Sequence, residues 1–242
     1  MTRRRWIADE FSPQRAALTG AHAAHLARTL RARVGQQFEV ACGDRVWRAA
    51  VASVAEDRIE FDLGEEVPAT QVLPLTLLLA IFKFDRMEWA IEKCTELNVT
   101  TIVPVIARRT EKHLALAADK RVHRWRRIAR EASQQARRIA APEIIDPAKL
   151  ADVLNLGAAL RIVLAENEHE VGLTDLLALG TGSGGIALAV GPEGGWTTEE
   201  LHSFAAAQWT AASLGDTILR AETAAIAALA IARAGAQLKS GA

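Results

Sequence analysis

The chain of 242 residues has two cysteines, no apolar run long enough to cross a bilayer, and no net charge, with 29 basic residues against 29 acidic ones. Cys42 and Cys94 each fall on an apolar periodic position. They are expected to be buried thiols in a reducing compartment rather than a disulfide. A membrane helix needs roughly 20 consecutive apolar residues, and no stretch approaches that. The basic start, Met1 to Trp6, lacks the apolar core of a secretion signal. A cytoplasmic protein with no membrane contact is therefore expected.

Several chemical signatures are also missing. The sequence has no Walker A motif, no Cys-x-x-Cys pair and no His-Glu-x-x-His. Glu166, Glu168, His169 and Glu170 share one short loop but lack metal-ligand spacing. They are read as solvated, and no metal is expected. Gly180 to Gly185 formally matches a dinucleotide fingerprint, but it precedes a strand instead of following one, so it is read as a flexible loop.

The neutral total hides a segregation of charge. Residues 1–48 hold nine Arg against four acids, a net of +5, and residues 108–138 hold eleven Lys or Arg against three acids, a net of +8. Residues 139–242 hold five against twelve, a net of −7. Clustered arginine suits a polyanion such as RNA, although a solvated helix face would give the same composition.

Periodicity divides the chain in two. The first part reads as a small β-rich module with one helix. Leu18, His22, Leu26, Leu30 and Val34 recur at helical spacing before Gly35, and alternating strands follow at Phe38–Cys42, Val46–Val54 and Ile59–Leu63. The charged stretch from Gly64 to Pro68 marks the boundary. Beyond residue 70, strand and helix alternate. Strands are expected at Leu73–Phe82, Thr101–Ile106, Arg161–Ala165, Gly185–Val190 and Thr210–Leu214, with helices between them. This is the pattern of an α/β domain with a parallel sheet and crossover helices. A long helix from Asp119 to about Ile139 has an apolar stripe, and Arg121, Arg124, Arg127, Arg137 and Arg138 largely fill the rest.

Two loops carry the chemistry. Gly191, Pro192, Glu193, Gly194 and Gly195 follow one buried strand, and Ser213 to Thr223 follows another, with Leu214, Gly215, Ile218, Leu219 and Arg220 in its first half. Plain helix starts explain the flanks, with Thr197 or Thr198 as cap, but not three glycines around Glu193, which is expected to be buried. Loops at the C-terminal ends of parallel strands are where open α/β sheets bind ligands, so a shared small-molecule crevice is expected. Arg220 beside it is either catalytic or a structural partner of Glu222 or Glu193.

These two loops resemble the RsmE family of 16S ribosomal RNA uridine-N3 methyltransferases, in the SPOUT superfamily. The helix Lys83–Leu97 and the stretch Glu131–Arg138 with Pro142 are similar to further motifs of that family. Asn98, Gln134, Ala136 and Trp196 depart from it, Asn98 standing where Gly is usual and Trp196 where Phe is usual. The resemblance implies a PUA-like RNA-binding β-barrel at 1–68 and a SPOUT methyltransferase domain with a deep trefoil knot at 70–242. It implies a homodimer that binds S-adenosylmethionine at Gly191–Gly195 and Leu214–Arg220. For methylation at N3, a cation that stabilises charge growing on the uridine carbonyls as the proton leaves is needed, and Arg220, beside these loops, is the expected catalytic residue. Arg3, Arg4, Arg5, Arg121, Arg124 and Arg138 are the arginines expected to meet 16S rRNA of the small ribosomal subunit.

Overall fold

The computed structural model describes residues 5–68, 73–178 and 184–240, the side chains of 236–240 excepted. Arg3, Arg4 and most of the glycine-rich stretch at 180–185 lie outside the described residues. By its internal contacts the chain forms two compact units: residues 1–71 with 130–141, and residues 72–129 with 142–242.

The N-terminal unit contains strands β1 (Arg5–Ile7), β2 (Glu10–Phe11) and β3 (Arg15–Thr19), then a short helix α1 (Gly20–Ala24) that runs on as a wide turn of π-helix, His25–Thr29. Strands β4 (Gln37–Cys42), β5 (Arg45–Val54) and β6 (Arg58–Val67) complete it. The sheet order is β1-β4-β5-β6-β3-β2, antiparallel except for β1 beside β4. Two register shifts between β5 and β6 curl it into a half-barrel. Gly64 sits at one of them, where an added Cβ would lie 2.7 Å from the Arg48 carbonyl oxygen. Inward positions build one core, in which Trp6, Leu18, Leu26, Ile59 and Phe61 have no exposed surface. Phe38 meets Phe61 edge-on at 6.3 Å.

The helix that periodicity predicts from Leu18 to Val34 does not form over that span. Leu18 is a strand residue paired with Ile59, the helical segment spans only Gly20 to Thr29, and Val34 is 68% exposed. Leu18 meets the core through the period-two alternation of a strand, which a spacing of four also satisfies.

The second unit begins with β7 (Leu75–Ala80), α2 (Phe84–Glu96), β8 (Thr101–Ile106) and α3 (Lys112–Gln135). It continues through β9 (Glu143–Ile144), β10 (Ala148–Lys149), α4 (Leu150–Val153), β11 (Leu160–Leu164) and α5 (Leu173–Ala178). Then come β12 (Ile186–Val190), α6 (Thr198–Ala206), β13 (Thr210–Ala212) and α7 (Ala221–Ser240). All pairings are parallel, in the order β10-β8-β7-β12-β11-β13, with β9 also on β8.

Burial on both faces explains the unbroken apolar runs of the central strands. Leu75, Leu77 and Leu79 of β7 face a core made with α2, α3, α5 and α7, while Leu78 and Ala80 face a second core under α4 and α6. Cys94 belongs to the first of these cores and Cys42 to the sheet of the other unit, and both are free thiols. Burial pushes the Cys42 thiol up to about 11 and raises that of Cys94 as well, so neither is a ready nucleophile. No helix among the described residues is long and apolar enough to cross a membrane.

The end of α2 gives a test of this local reading. Asn98 follows the helix at φ +69°, the left-handed position where glycine is usual, and the Asn98 and Val99 N–H groups close the last turn onto the Thr95 and Cys94 carbonyls at 3.0 and 3.2 Å. Asn98→Ala should lower stability by about 1 kcal/mol, and Asn98→Gly should match or exceed the parent by up to ~1 kcal/mol. Urea midpoints at constant slope check both.

Candidate functional site

Parallel strands direct their C-terminal ends the same way, and β12, β11 and β13 are neighbours in that order. Their following loops therefore meet. Together they enclose a cleft of about 790 Å³, within the size range of small-molecule sites. Gly191, Pro192, Glu193, Gly194, Gly195, Leu214, Gly215, Ile218, Leu219 and Arg220 all line it.

The first wall is the turn after β12. Gly195 N–H donates to Pro192 O at 2.8 Å, and Gly195 adopts φ +69°. A Cβ on Gly191 would lie 3.3 Å from Trp196 Nε1 and 3.4 Å from Gly195 Cα, so the turn closes tightly on itself there. A Cβ on Gly194 would meet only the Arg109 side chain, whose guanidinium donates to Gly194 O. The turn then enters α6 through a capping box. Thr197 Oγ1 accepts from Glu200 N–H at 3.2 Å, and Glu200 Oε2 accepts from Thr197 N–H at 2.9 Å. Glu200 is 5% exposed, and its other oxygen accepts from Arg108 N–H, just after β8, at 2.8 Å. Behind the turn, Trp196, Phe204 and Trp209 form an edge-to-face stack with centroids 4.9 and 5.2 Å apart.

The second wall follows β13. Ser213 is held by backbone bonds to Val171 and Leu173 at 2.8 and 2.9 Å, and its hydroxyl accepts from Gly215 N–H at 3.1 Å. Gly215 has φ +117° with open space around it, and Ile218 is 81% exposed on the rim. Arg220, the last residue before α7, is exposed and has no ion-pair partner among the described residues. Glu222 is buried and lies 3.8 Å from Arg86 Nε instead. Glu193, expected to be buried, is exposed because it stands at the tip of its turn.

The third wall was read from sequence as a solvated loop. Glu166, Asn167 and His169, after β11, line the cleft, and the Glu166 carboxylate approaches the outer side of Gly195. The signal available was position: this loop also follows a parallel strand. Glu168, next to it, accepts from Glu170 and Val171 N–H groups at 2.8 and 3.0 Å, which hold its carboxyl below the usual range. No metal-holding group of His, Cys, Asp and Glu occurs among the described residues. Arg86 and Arg109 also face the cleft.

The arginines expected to contact RNA are differently disposed. Arg124 Nε donates to Glu88 Oε1 at 2.6 Å, while Arg121 lies 3.6 Å from the same carboxylate and 4.7 Å over the Phe84 ring. Arg5 pairs with Glu39 at 2.9 Å. Arg138 is 9% exposed, and its Nε donates to Ala140 O at 3.1 Å.

A parallel α/β domain with a glycine-walled cleft at its strand ends belongs to the class of small-molecule-binding α/β proteins. A profile of the RNA methyltransferase domain matches residues 69–233. The ribosomal RNA small subunit methyltransferase E of Synechocystis is 35% identical over 221 residues, 88% of this chain and 71% of that protein. That of Rickettsia conorii is 33% identical, covering 89% of this chain and 88% of its own. The crystal structure of ribosomal RNA small subunit methyltransferase E from Neisseria gonorrhoeae, bound to S-adenosyl methionine, superposes with a TM-score of 0.83 at 29% identity, over 94% of this chain and 95% of that one. A methyltransferase of Legionella pneumophila in complex with the same cofactor gives 0.82 at 26% identity, over 97% and 98%. The chain belongs to the RNA methyltransferase domain family, in its ribosomal RNA small subunit methyltransferase E branch.

Glu200 is the test of how the cleft wall is held. Glu200→Ala strands the Arg108 and Thr197 N–H groups and should cost about 2–3 kcal/mol of stability. Thr197→Ala should cost only about 1 kcal/mol. Thermal and urea unfolding of the two variants would measure the difference.

Proposed function

We propose that this chain is an S-adenosylmethionine-dependent methyltransferase of small-subunit (16S) ribosomal RNA, acting on N3 of a specific uridine in the decoding region near the 3′ end. The observation that carries the chemistry is Arg220, which has no ion-pair partner among the described residues and stands at the mouth of a cleft lined by the loops after β11, β12 and β13.

The cleft residues fit the cofactor. The Gly191–Gly195 turn lets a flat base approach bare backbone. Glu166, Glu193 and Asp216 suit its ammonium and sulfonium charges, and the nearby arginines suit its carboxylate. Leu214, Ile218 and Leu219 offer apolar cover on the other side. When bound, the cofactor supplies an electrophilic methyl group.

The protein's part is to place and activate the base. Uridine N3 carries a proton that must leave before or during attack, and negative charge then grows on the flanking carbonyl oxygens. Arg220 is available to stabilise that charge because Glu222 lies beside Arg86 and not beside it. Water or hydroxide at the open rim takes the proton.

The wider reading follows the same resemblance. Residues 1–68 form a PUA-like RNA-binding domain and 70–242 a SPOUT domain. Its C-terminal trefoil knot is supported by β11 lying between the two strands that follow it in sequence. The enzyme is cytoplasmic and a homodimer; dimerisation is supported by Ile226 and Ile231 of α7, which remain half-buried in the single chain. To reach phosphate, Arg5, Arg121 and Arg124 exchange Glu39 and Glu88 for RNA.

Gly191→Val should abolish saturable S-adenosylmethionine binding in calorimetry while circular dichroism stays native, since the new side chain must displace Trp196 or Gly195. Unchanged affinity would remove the cofactor from this cleft. Arg220→Ala should lower kcat by roughly 10²–10³-fold, the effect of losing one transition-state donor, with little change in cofactor affinity. Single-turnover methylation of small ribosomal subunits measures it, and a near-normal rate would make Arg220 structural.

A further inference from the structure

Charge in the N-terminal unit is neutralised almost pair by pair. Arg15, Arg28, Arg45, Arg48 and Arg58 each meet a carboxylate, as Arg5 does with Glu39. Arg130 meets Asp9 at 2.6 Å, and Arg137 also reaches Glu39. Among the described residues, Arg31 and Arg33 are exceptions. Both are exposed, and among the described residues neither guanidinium has a hydrogen-bond or ion-pair partner. No Asp or Glu occurs anywhere from Phe11 to Phe38, so sequence neighbours cannot supply one.

The turn that carries them is rigidly built. Ala32, between the two arginines, is 9% exposed and plugs into the core, its N–H donating to Leu26 O at 3.1 Å. Arg33 N–H donates to Gln36 Oε1 at 3.2 Å, and Gly35 N–H donates to Val51 O at 2.8 Å. Arg31 is held at φ +50°, a conformation unfavourable for a side chain of its size. Such strain persists where surrounding structure imposes it, and it clusters at functional positions. On either side of the pair, Leu30 is 39% and Val34 68% exposed. The result is a pre-set fork of two uncompensated cations flanked by apolar side chains.

We infer that the Arg31–Val34 turn is an RNA-contacting surface of this protein, with Arg31 and Arg33 each taking a backbone phosphate and Leu30 and Val34 packing on ribose or base. This rests on the substrate reading given above. Phosphate is favoured because arginine offers it a planar bidentate donor set, and because these cations, unlike Arg5, Arg121 and Arg124, give up no carboxylate partner to bind it. A fixed turn also loses little conformational entropy on binding.

The test is binding of the full-length protein to small ribosomal subunits and to protein-free 16S rRNA, from about 50 to 200 mM salt. The R31A/R33A variant should bind both roughly 10- to 30-fold more weakly near 0.15 M salt, with the slope of log affinity against log salt reduced by about two. R31K/R33K should retain the slope, and cofactor titration of the free protein should be unchanged in both variants. An unchanged affinity and slope for R31A/R33A would overturn the inference. So would an equal loss in the lysine pair, which would point to damage to the turn rather than lost charge. A loss with intact subunits but not with protein-free rRNA would assign the turn to a ribosomal protein instead. If the parent protein binds S-adenosylmethionine but no 16S rRNA, the substrate reading itself fails and the inference falls with it.

Discussion

The two oxygens of one buried carboxylate hold the cleft wall in place. Glu200 accepts from Thr197 N–H at the start of its own helix and from Arg108 N–H at the end of β8. It thereby fixes the Gly191–Trp196 turn at both its helix junction and a neighbouring strand end. The turn cannot supply that rigidity itself, because the glycines that leave its backbone bare are also its most mobile residues in the unfolded chain. The Trp196–Phe204–Trp209 stack adds apolar cover to the same hinge. Conformational freedom at the turn and rigidity around it thus come from different residues.

Charge pairing decides which cations remain open to an incoming anion. Arg86 lies beside Glu222, Arg109 donates to the turn's own carbonyls, and Arg220 at the rim has no ion-pair partner among the described residues. The same sorting operates on α3 and in the half-barrel, where most arginines lie against carboxylates and Arg31 and Arg33 do not. A basic composition therefore overstates the surface that phosphate can reach without competition. Exposed ion pairs are worth little to stability, yet each must be undone before its arginine serves another anion.

Much of the parallel domain was legible because its strands are buried on both faces. Runs such as Leu75–Ala80 and Ile186–Val190 have no polar alternation, and the expected Thr101–Ile106 strand coincides with β8. A cap at Thr197 or Thr198 was legible, and the capping box with Glu200 places it at Thr197. Errors arose where one spacing fits two geometries. Leu18 satisfies a helical period and a strand period alike, and only its pairing with Ile59 separates them. Glu193 looked buried among glycines, but glycines mark a turn, and a turn's tip faces water.

The sequence by itself determined the alternation of buried strands and helices, the two glycine loops, and the resemblance that joins them. These are local properties: periodicity, backbone freedom and the identity of a few residues in a row. Tertiary structure decided which loops meet and which charges cancel. Glu166 joined the cleft because β11 lies between β12 and β13, a sheet order that no local pattern encodes. Arg121 and Arg124 were committed to Glu88, more than thirty residues away, while Arg31 and Arg33 were left open. Pairing at that range depends on how helices and strands pack, and packing is a property of the whole fold.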